Sequence, residues 1–220
     1  MYEASVESTS HKEKEKPMAL ERQVTTMTVE EYFQLEENDS EHRYEYVDGY
    51  VYMMSGGTFD HSTISGNIYR TLWDLLRGKP CRVYNSDMKV QISKKRYFHP
   101  DITVTCDPRD RGTGDLLQSP RMVFEVLSPT TELKDRTWKL QNYLAVPTLE
   151  EYVLVETKFP RMEIYRKEIG KWVYDSYKAN EAIELSSLDI RFSVAEAYVD
   201  VDFEEDSLGE ENDPHPERYQ

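Results

Sequence analysis

A mixed α/β sheet flanked by helices is the fold class that this 220-residue chain predicts, and three observations predict it. Apolar residues recur at spacings of three and four in two long segments and alternate in several others, so helices and strands interleave along the chain. Their order reads helix, hairpin, helix, strands, helix, strands, with no internal repeat. Finally, two acids, Asp101 and Glu125, stand inside short apolar runs at 97–104 and 122–128 that read as buried strands.

The length allows one domain with a real core and short tails. Residues 1–26 carry little apolar content and read as a disordered arm. Order is expected to begin at Thr28-Val29-Glu30-Glu31, a capping box in which Thr28 caps a helix and Glu31 reaches back to the cap's amide. That helix ends near Asn38. Segments 43–47 and 50–54 flank Asp48-Gly49, the dipeptide that supplies the positive φ angles of a tight hairpin. From about Asp60 to Arg77, the positions Ile64, Ile68, Leu72, Leu75 and Leu76 form a helical stripe that Gly78 stops.

Residues 82–92 alternate through Val83, Met88, Val90 and Ile92, and Ser93-Lys94-Lys95-Arg96 turns that strand back into the one carrying Asp101. Residues 107–120 show no period and read as a loop, after which comes the Glu125 strand, closed by Ser128-Pro129. Thr130 or Thr131 caps a second long helix that runs to about Ala145, with Leu133, Thr137, Leu140 and Leu144 as its core stripe. Pro147 ends it. Three further strands follow at 151–156, 162–167 and 172–177. The domain is therefore bounded at 27–199, with an acidic disordered tail at 200–220.

The net charge of −15 argues against a broad nucleic-acid surface. The stretch 196–220 alone, however, holds ten acids against one base, which leaves the domain mildly acidic and able to bind DNA through a local basic patch. Lys89, Lys94, Lys95 and Arg96 cluster at one hairpin turn, with Arg70 and Arg77 on the preceding helix. No apolar run reaches the ~20 residues of a membrane span, and residues 1–16 lack the apolar segment of a secretory signal, so a cytoplasmic protein is expected. Cys81 and Cys106 read as small buried hydrophobes, too few and too isolated for zinc or a disulfide framework.

Burying an ionised acid costs several kcal/mol unless it is paired or bound to a cation, so two carboxylates in a core suggest a divalent metal site, the blander alternative being a structural dimer whose buried acids pair with Arg or Lys. Oxygen ligation of that kind suits Mg²⁺, with Mn²⁺ as the alternative. Asp101 and Glu125 are the candidate ligands, and the Val126 carbonyl can complete the shell. The helix after the Glu125 strand carries Lys139 on a stripe with Asp135 and Tyr143, next to the apolar stripe and not part of it. There it can orient a water for phosphodiester hydrolysis. Its bland alternative is an exposed Asp–Lys pair. His61 opens the first long helix and can contact phosphate or water, although a neighbour of the helix cap is the commoner role for such a histidine.

These residues carry a resemblance. Pro100-Asp101 followed by Glu125-Val126-Leu127-Ser128-Pro129 resembles the PD-(D/E)XK nuclease superfamily. More closely, the runs 44–49 and 99–104, the Glu125 run, Asp135 with Lys139 and Tyr143, and Glu151-Tyr152 resemble the Uma-two family of restriction-endonuclease-like proteins, over about residues 28–198. The superfamily's usual lysine, two residues after the acid, is replaced here by Leu127. The resemblance implies a lysine on the following helix, where Lys139 stands, and an early acid at the metal site, Glu45. It also implies a restriction-endonuclease-like core and a metal-dependent endonuclease acting on DNA. The alternative is a nuclease-fold protein that has lost catalysis and serves as a DNA-binding or protein-interaction module. Strands rich in Tyr and Val offer an edge for a homodimer under either reading.

Overall fold

The computed structural model describes residues 25–203, so most of the expected arm and acidic tail lies outside the described residues. Two six-stranded sheets organise the chain. The first is built from β1 (Thr25–Thr26), β2 (Tyr44–Val47), β3 (Tyr50–Met53), β4 (Arg82–Asn85) being passed over, β5 (Lys89–Ser93), β6 (Arg96–Phe98) and β8 (Leu116–Leu117), in the order β1-β3-β2-β6-β5-β8. β4 joins β7 (Ile102–Thr105), β9 (Pro120–Val126), β10 (Glu151–Val155), β11 (Arg161–Glu168) and β12 (Lys171–Lys178) in the second, ordered β12-β11-β10-β9-β7-β4. Within this second sheet β9 and β10 run parallel and the other pairs antiparallel.

Several elements form where local chemistry places them. Thr28 and Glu31 close their reciprocal capping bonds at the start of α1 (Val29–Asn38). Asp48 and Gly49 both take positive φ in the β2–β3 turn, and the left-handed Gly78 follows α2 (Phe59–Leu75). The stripe Ile64, Ile68 and Leu72 of α2 is fully buried on the second sheet, against Val104, Met122, Phe124 and Val126.

The expected hairpin forms, β5 pairing with β6 across the 93–96 turn and β4 with β7 beyond it, but not as two unbroken strands. Each strand breaks, and its halves lie in different sheets. Between β4 and β5 the Asn85 side chain accepts the Asp87 amide and the Asn85 carbonyl accepts the Met88 amide, an Asn-Ser-Asp turn that the alternation of Val83 and Val90 concealed. Between β6 and β7 comes His99-Pro100-Asp101. Pro100 has no amide to give a ladder, and the buried His99 turns toward Glu36 and the Ser86 carbonyl. Asp101 thus stands where the chain crosses from one sheet to the other.

Other differences have equally local causes. The 107–120 loop contains a 3₁₀ turn, Pro108–Asp110, held by Asp110, which accepts from Thr105, Gln118 and Ser119. A hairpin of β13 (Ala182–Leu185) and β14 (Ile190–Ser193), with the short α5 (Val194–Ala197), adds Ile183, Leu185, Phe192 and Val194 to the core beneath α2. Cys81 and Cys106 form a disulfide. Arg82 pairs with Thr105 across β4 and β7, so their outer neighbours meet, a proximity that a sequence separation of 25 hides. Of the expected basic patch, Lys89 is buried between Glu36 and Asp115, and Arg96 pairs with Asp48, which leaves Lys94 and Lys95 exposed.

Candidate active site

Period-two alternation aims the site residues. On β9, Val123, Glu125 and Leu127 leave the α2 face and point into a second core shared with Val47 and Phe98 of the first sheet. On β2, Tyr44 and Tyr46 pack toward Tyr32 of α1, so Glu45 turns with Val47 toward that same second core. Two acids from two sheets therefore converge on one layer. The helix over residues 132–144 enters this layer as α3 (Glu132–Lys134), a π-helical segment (Asp135–Lys139) and α4 (Leu140–Leu144).

Of the expected core stripe on that helix, Leu140 and Leu144 pack against the second core, but the N-terminal half turns out. Leu133 and Thr137 of the expected core stripe are exposed, whereas Asp135, Lys139 and Tyr143 are buried. The Lys139 ammonium lies 2.9 Å from Glu45 Oε1, 3.0 Å from Glu125 Oε1 and 3.3 Å from Asp135 Oδ1. Tyr143 donates its hydroxyl to Glu125 Oε1 at 3.1 Å, and Tyr152 donates to the Asp135 carbonyl at 3.0 Å. Lys134, half-buried, pairs with Glu45 Oε2. The π-helical turn, a feature often found at functional sites, spans the segment that carries both Asp135 and Lys139.

Charge in this layer is unbalanced. Burial pushes the Glu125 carboxyl well up, and the charges of Asp135, Asp101 and Glu45 add to it while Lys139 opposes them. Asp135 is raised for the same reason, burial first. Burial also acts to raise Glu45, yet the ammonium groups of Lys139 and Lys134 hold it at about 2. For Lys139, burial would lower the pKa, but the three acids around it raise it well above its ordinary value, so it stays charged.

Asp101 is the near neighbour of this group. Its Oδ2 accepts the Val126 amide at 2.7 Å and meets His61 Nε2 at 3.3 Å. Burial would lower the His61 pKa, but the Asp101 carboxylate and the Val126 carbonyl raise it. His61 is more than a neighbour of the cap, although its amide does donate to Thr58, the cap of α2. Asp101 and His61 line a cavity of about 720 Å³ under residues 54–57. On the other side of Met54 and Ser55 lies a second cavity, about 450 Å³, lined by Glu45 and Lys139.

The donor set suits a small divalent cation. Glu45 Oε1 and Asp135 Oδ1 are buried without a well-aligned donor, and four acids face two lysines and one histidine. Among the described residues no three His, Cys, Asp or Glu side chains form a ready metal cage. Mg²⁺ needs none, since one or two carboxylates with water and substrate oxygens suffice.

A family model described as "Putative restriction endonuclease", Uma2, matches residues 29–195. The chain belongs to the Uma2 family. It is similar to two uncharacterised proteins of Synechocystis sp.: slr1290, 40% identical over 174 residues (78% of this chain and 91% of that protein), and sll1609, 28% identical over 170 residues (74% and 95%). It also superposes, with a TM-score of 0.66, on a crystal structure described as a "putative nuclease belonging to DUF820" from Anabaena variabilis, covering 79% of this chain and 98% of that one. At 16% identity this likeness establishes the shared mixed α/β fold alone. Within the Uma2 frame, Asp101, Glu125, Val126, Lys139, Glu45 and His61 all reach one neighbourhood, although Asp101 pairs with His61 and Glu125 with Lys139. Lys134, half-buried beside Glu45, carried no sequence signal of its own, because its contact with Glu45 spans 89 residues.

Proposed function

We propose that this Uma2 protein is a Mg²⁺-dependent endonuclease, with Mn²⁺ able to substitute, that hydrolyses phosphodiester bonds in DNA. The observation that carries this reading is the buried convergence of Glu45, Glu125, Asp135 and Lys139 beside Asp101, at the junction of the two sheets. Asp101, Glu125 and the Val126 carbonyl would hold the cation, with Glu45 contributing through the shared lysine. Bound there, the cation would neutralise phosphate charge and acidify a water.

The chain's own residues do the rest. Lys139 opposes the burial that favours protonated Glu125 and directs its carboxyl, and its remaining donor capacity serves the attacking water. Tyr143 fixes the Glu125 carboxylate from the other side. His61, between Asp101 and the Val126 carbonyl, is the proton donor available to the departing oxygen on the side of the larger cavity. A cytoplasmic location is part of the proposal, and among the described residues no helix is long and apolar enough to cross a membrane.

Cleavage of supercoiled and single-stranded circular DNA in Mg²⁺ or Mn²⁺ is the direct test. Asp101→Ala and Glu125→Ala should each abolish it, and unchanged activity in either would sink the assignment. The second reading, a catalytically degenerate module, draws on the internal pairing of Asp101 with His61 and of Glu125 with Lys139. Mn²⁺ should raise the melting temperature of a competent site by linkage and leave a degenerate one unmoved. A homodimer is part of the proposal. Among the described residues β12 ends the second sheet and exposes Val173 and Tyr174, and light scattering tests for pairing there.

A further inference from the structure

The smaller cavity joins two kinds of surface that no single protein side chain needs together. Its floor is the acid cluster, through Glu45 and Lys139. Its wall is aromatic and apolar. Tyr52 stands directly opposite Glu45 in the β2–β3 register, and Met53 follows it. Trp138 faces them from the helix, anchored on Phe98 with ring centroids 5.1 Å apart. Both Tyr52 and Met53 are exposed.

One cation ties the wall to the floor. Lys134 pairs with Glu45, and its ammonium lies over both rings, 5.1 Å from the Tyr52 centroid and 5.5 Å from that of Trp138. It is also the cation of this group that reaches solvent, with a third of its side chain accessible, whereas Lys139 is buried. A cavity of about 450 Å³ lies within the range of small-ligand sites, ~300–1,000 Å³.

A planar ring joined to an anion matches this arrangement. Base faces stack on aromatic side chains whatever the base, and a phosphate pairs with an exposed lysine. Paired and stacked in a duplex, a base hides the face that Tyr52 and Trp138 would contact, so the aromatic wall adds nothing to duplex binding. The anion stays at the level of Lys134, because the floor below is net acidic.

We propose that the cavity between Tyr52 and Trp138 is a subsite for an unpaired nucleotide, whose base takes the place of the Lys134 ammonium over the two rings and whose phosphate draws that ammonium aside. The subsite rests on the nuclease reading and narrows its substrate to single-stranded or locally unpaired nucleic acid.

The test is binding of three labelled probes to the full chain in EDTA, followed by anisotropy: a short oligothymidine, an abasic strand of equal length, and a blunt duplex. Oligothymidine should bind about 5- to 100-fold more tightly than the abasic strand, the gain expected of stacking one base. Tyr52→Ala should erase that margin, while Tyr52→Phe and Trp138→Phe keep it, and aromatic replacements guard against a folding defect at the half-buried Trp138. Equal affinity for the abasic strand, or a duplex bound as tightly as oligothymidine, would overturn the subsite. Mn²⁺-dependent cleavage by the same preparation distinguishes the two claims. Cutting without a base preference removes the subsite alone, whereas a base preference without cutting keeps the subsite and removes the nuclease.

Discussion

Two helices in this protein bury different kinds of stripe, one apolar throughout and the other mixed with charge. α2 buries Ile64, Ile68 and Leu72 against the second sheet, the arrangement its sequence period predicts. The helix at 132–144 buries Asp135, Lys139 and Tyr143 and leaves Leu133 78% exposed. The difference lies in what each helix meets. Facing α2 are Met122, Phe124 and Val126, an apolar surface that rewards apolar partners. Facing the second helix are Glu125 and Glu45, and two buried acids make a lysine the inner residue and a leucine the outer one. A polar stripe is therefore the buried one wherever the strands beneath it already carry charge.

The largest expected effect tests that claim directly. Lys139→Met should cost about 3–5 kcal/mol in urea unfolding, because it strands buried carboxylates, and adding Glu45→Gln and Glu125→Gln should recover most of the loss. A fully stable single variant would mean the stripe is solvated, and the contrast between the helices would collapse. On the apolar side, Leu72→Ala should cost about 2–5 kcal/mol through transfer and cavity terms, with the proposed Mn²⁺-dependent cleavage per folded molecule retained. If Leu72→Ala removed activity while the protein stayed folded, the two helices would not be functionally separate.

Acid melting sharpens the polar half. Glu45 titrates at about 2 in the folded chain, below its ordinary 4.5. Its contribution is therefore present above about pH 4.5 and is lost as the pH falls toward 2. Glu45→Gln should flatten the decline of melting temperature over that window, and an unchanged slope would place its stabilisation elsewhere. Tyr143→Phe should cost about 1–3 kcal/mol by removing the hydroxyl donated to Glu125, read from chemical denaturation. Leu133→Ser is the smallest, within about 0.5 kcal/mol. A loss of several kcal/mol there would restore the stripe expected from the sequence.

Much of this was legible in the chain. The capping box at Thr28, the Asp48-Gly49 turn and the α2 stripe are local, each decided by residues within a few positions. Asp101 and Glu125 were legible as acids in apolar runs, and Lys139 as a helix residue following the second of them. The strand pair at 82–104 was misread because alternation continues across both breaks, and only the Asn-Ser-Asp turn and Pro100 mark them. The outward turn of Leu133 and Thr137 was missed because an apolar stripe is evidence of burial only when the facing surface is known.

The sequence by itself determined the α/β class, much of the element order and which acids and lysine are candidates for a site, since turns, caps and periodicity act over short range. Tertiary structure alone decided that Lys134 reaches Glu45, that Glu45 and Asp135 both meet Lys139, that Cys81 meets Cys106, and that Lys89 is spent on Glu36 and Asp115. Each of those outcomes depends on strand register and sheet crossing between distant segments, where the energy of a buried charge is set by partners that the local sequence does not contain.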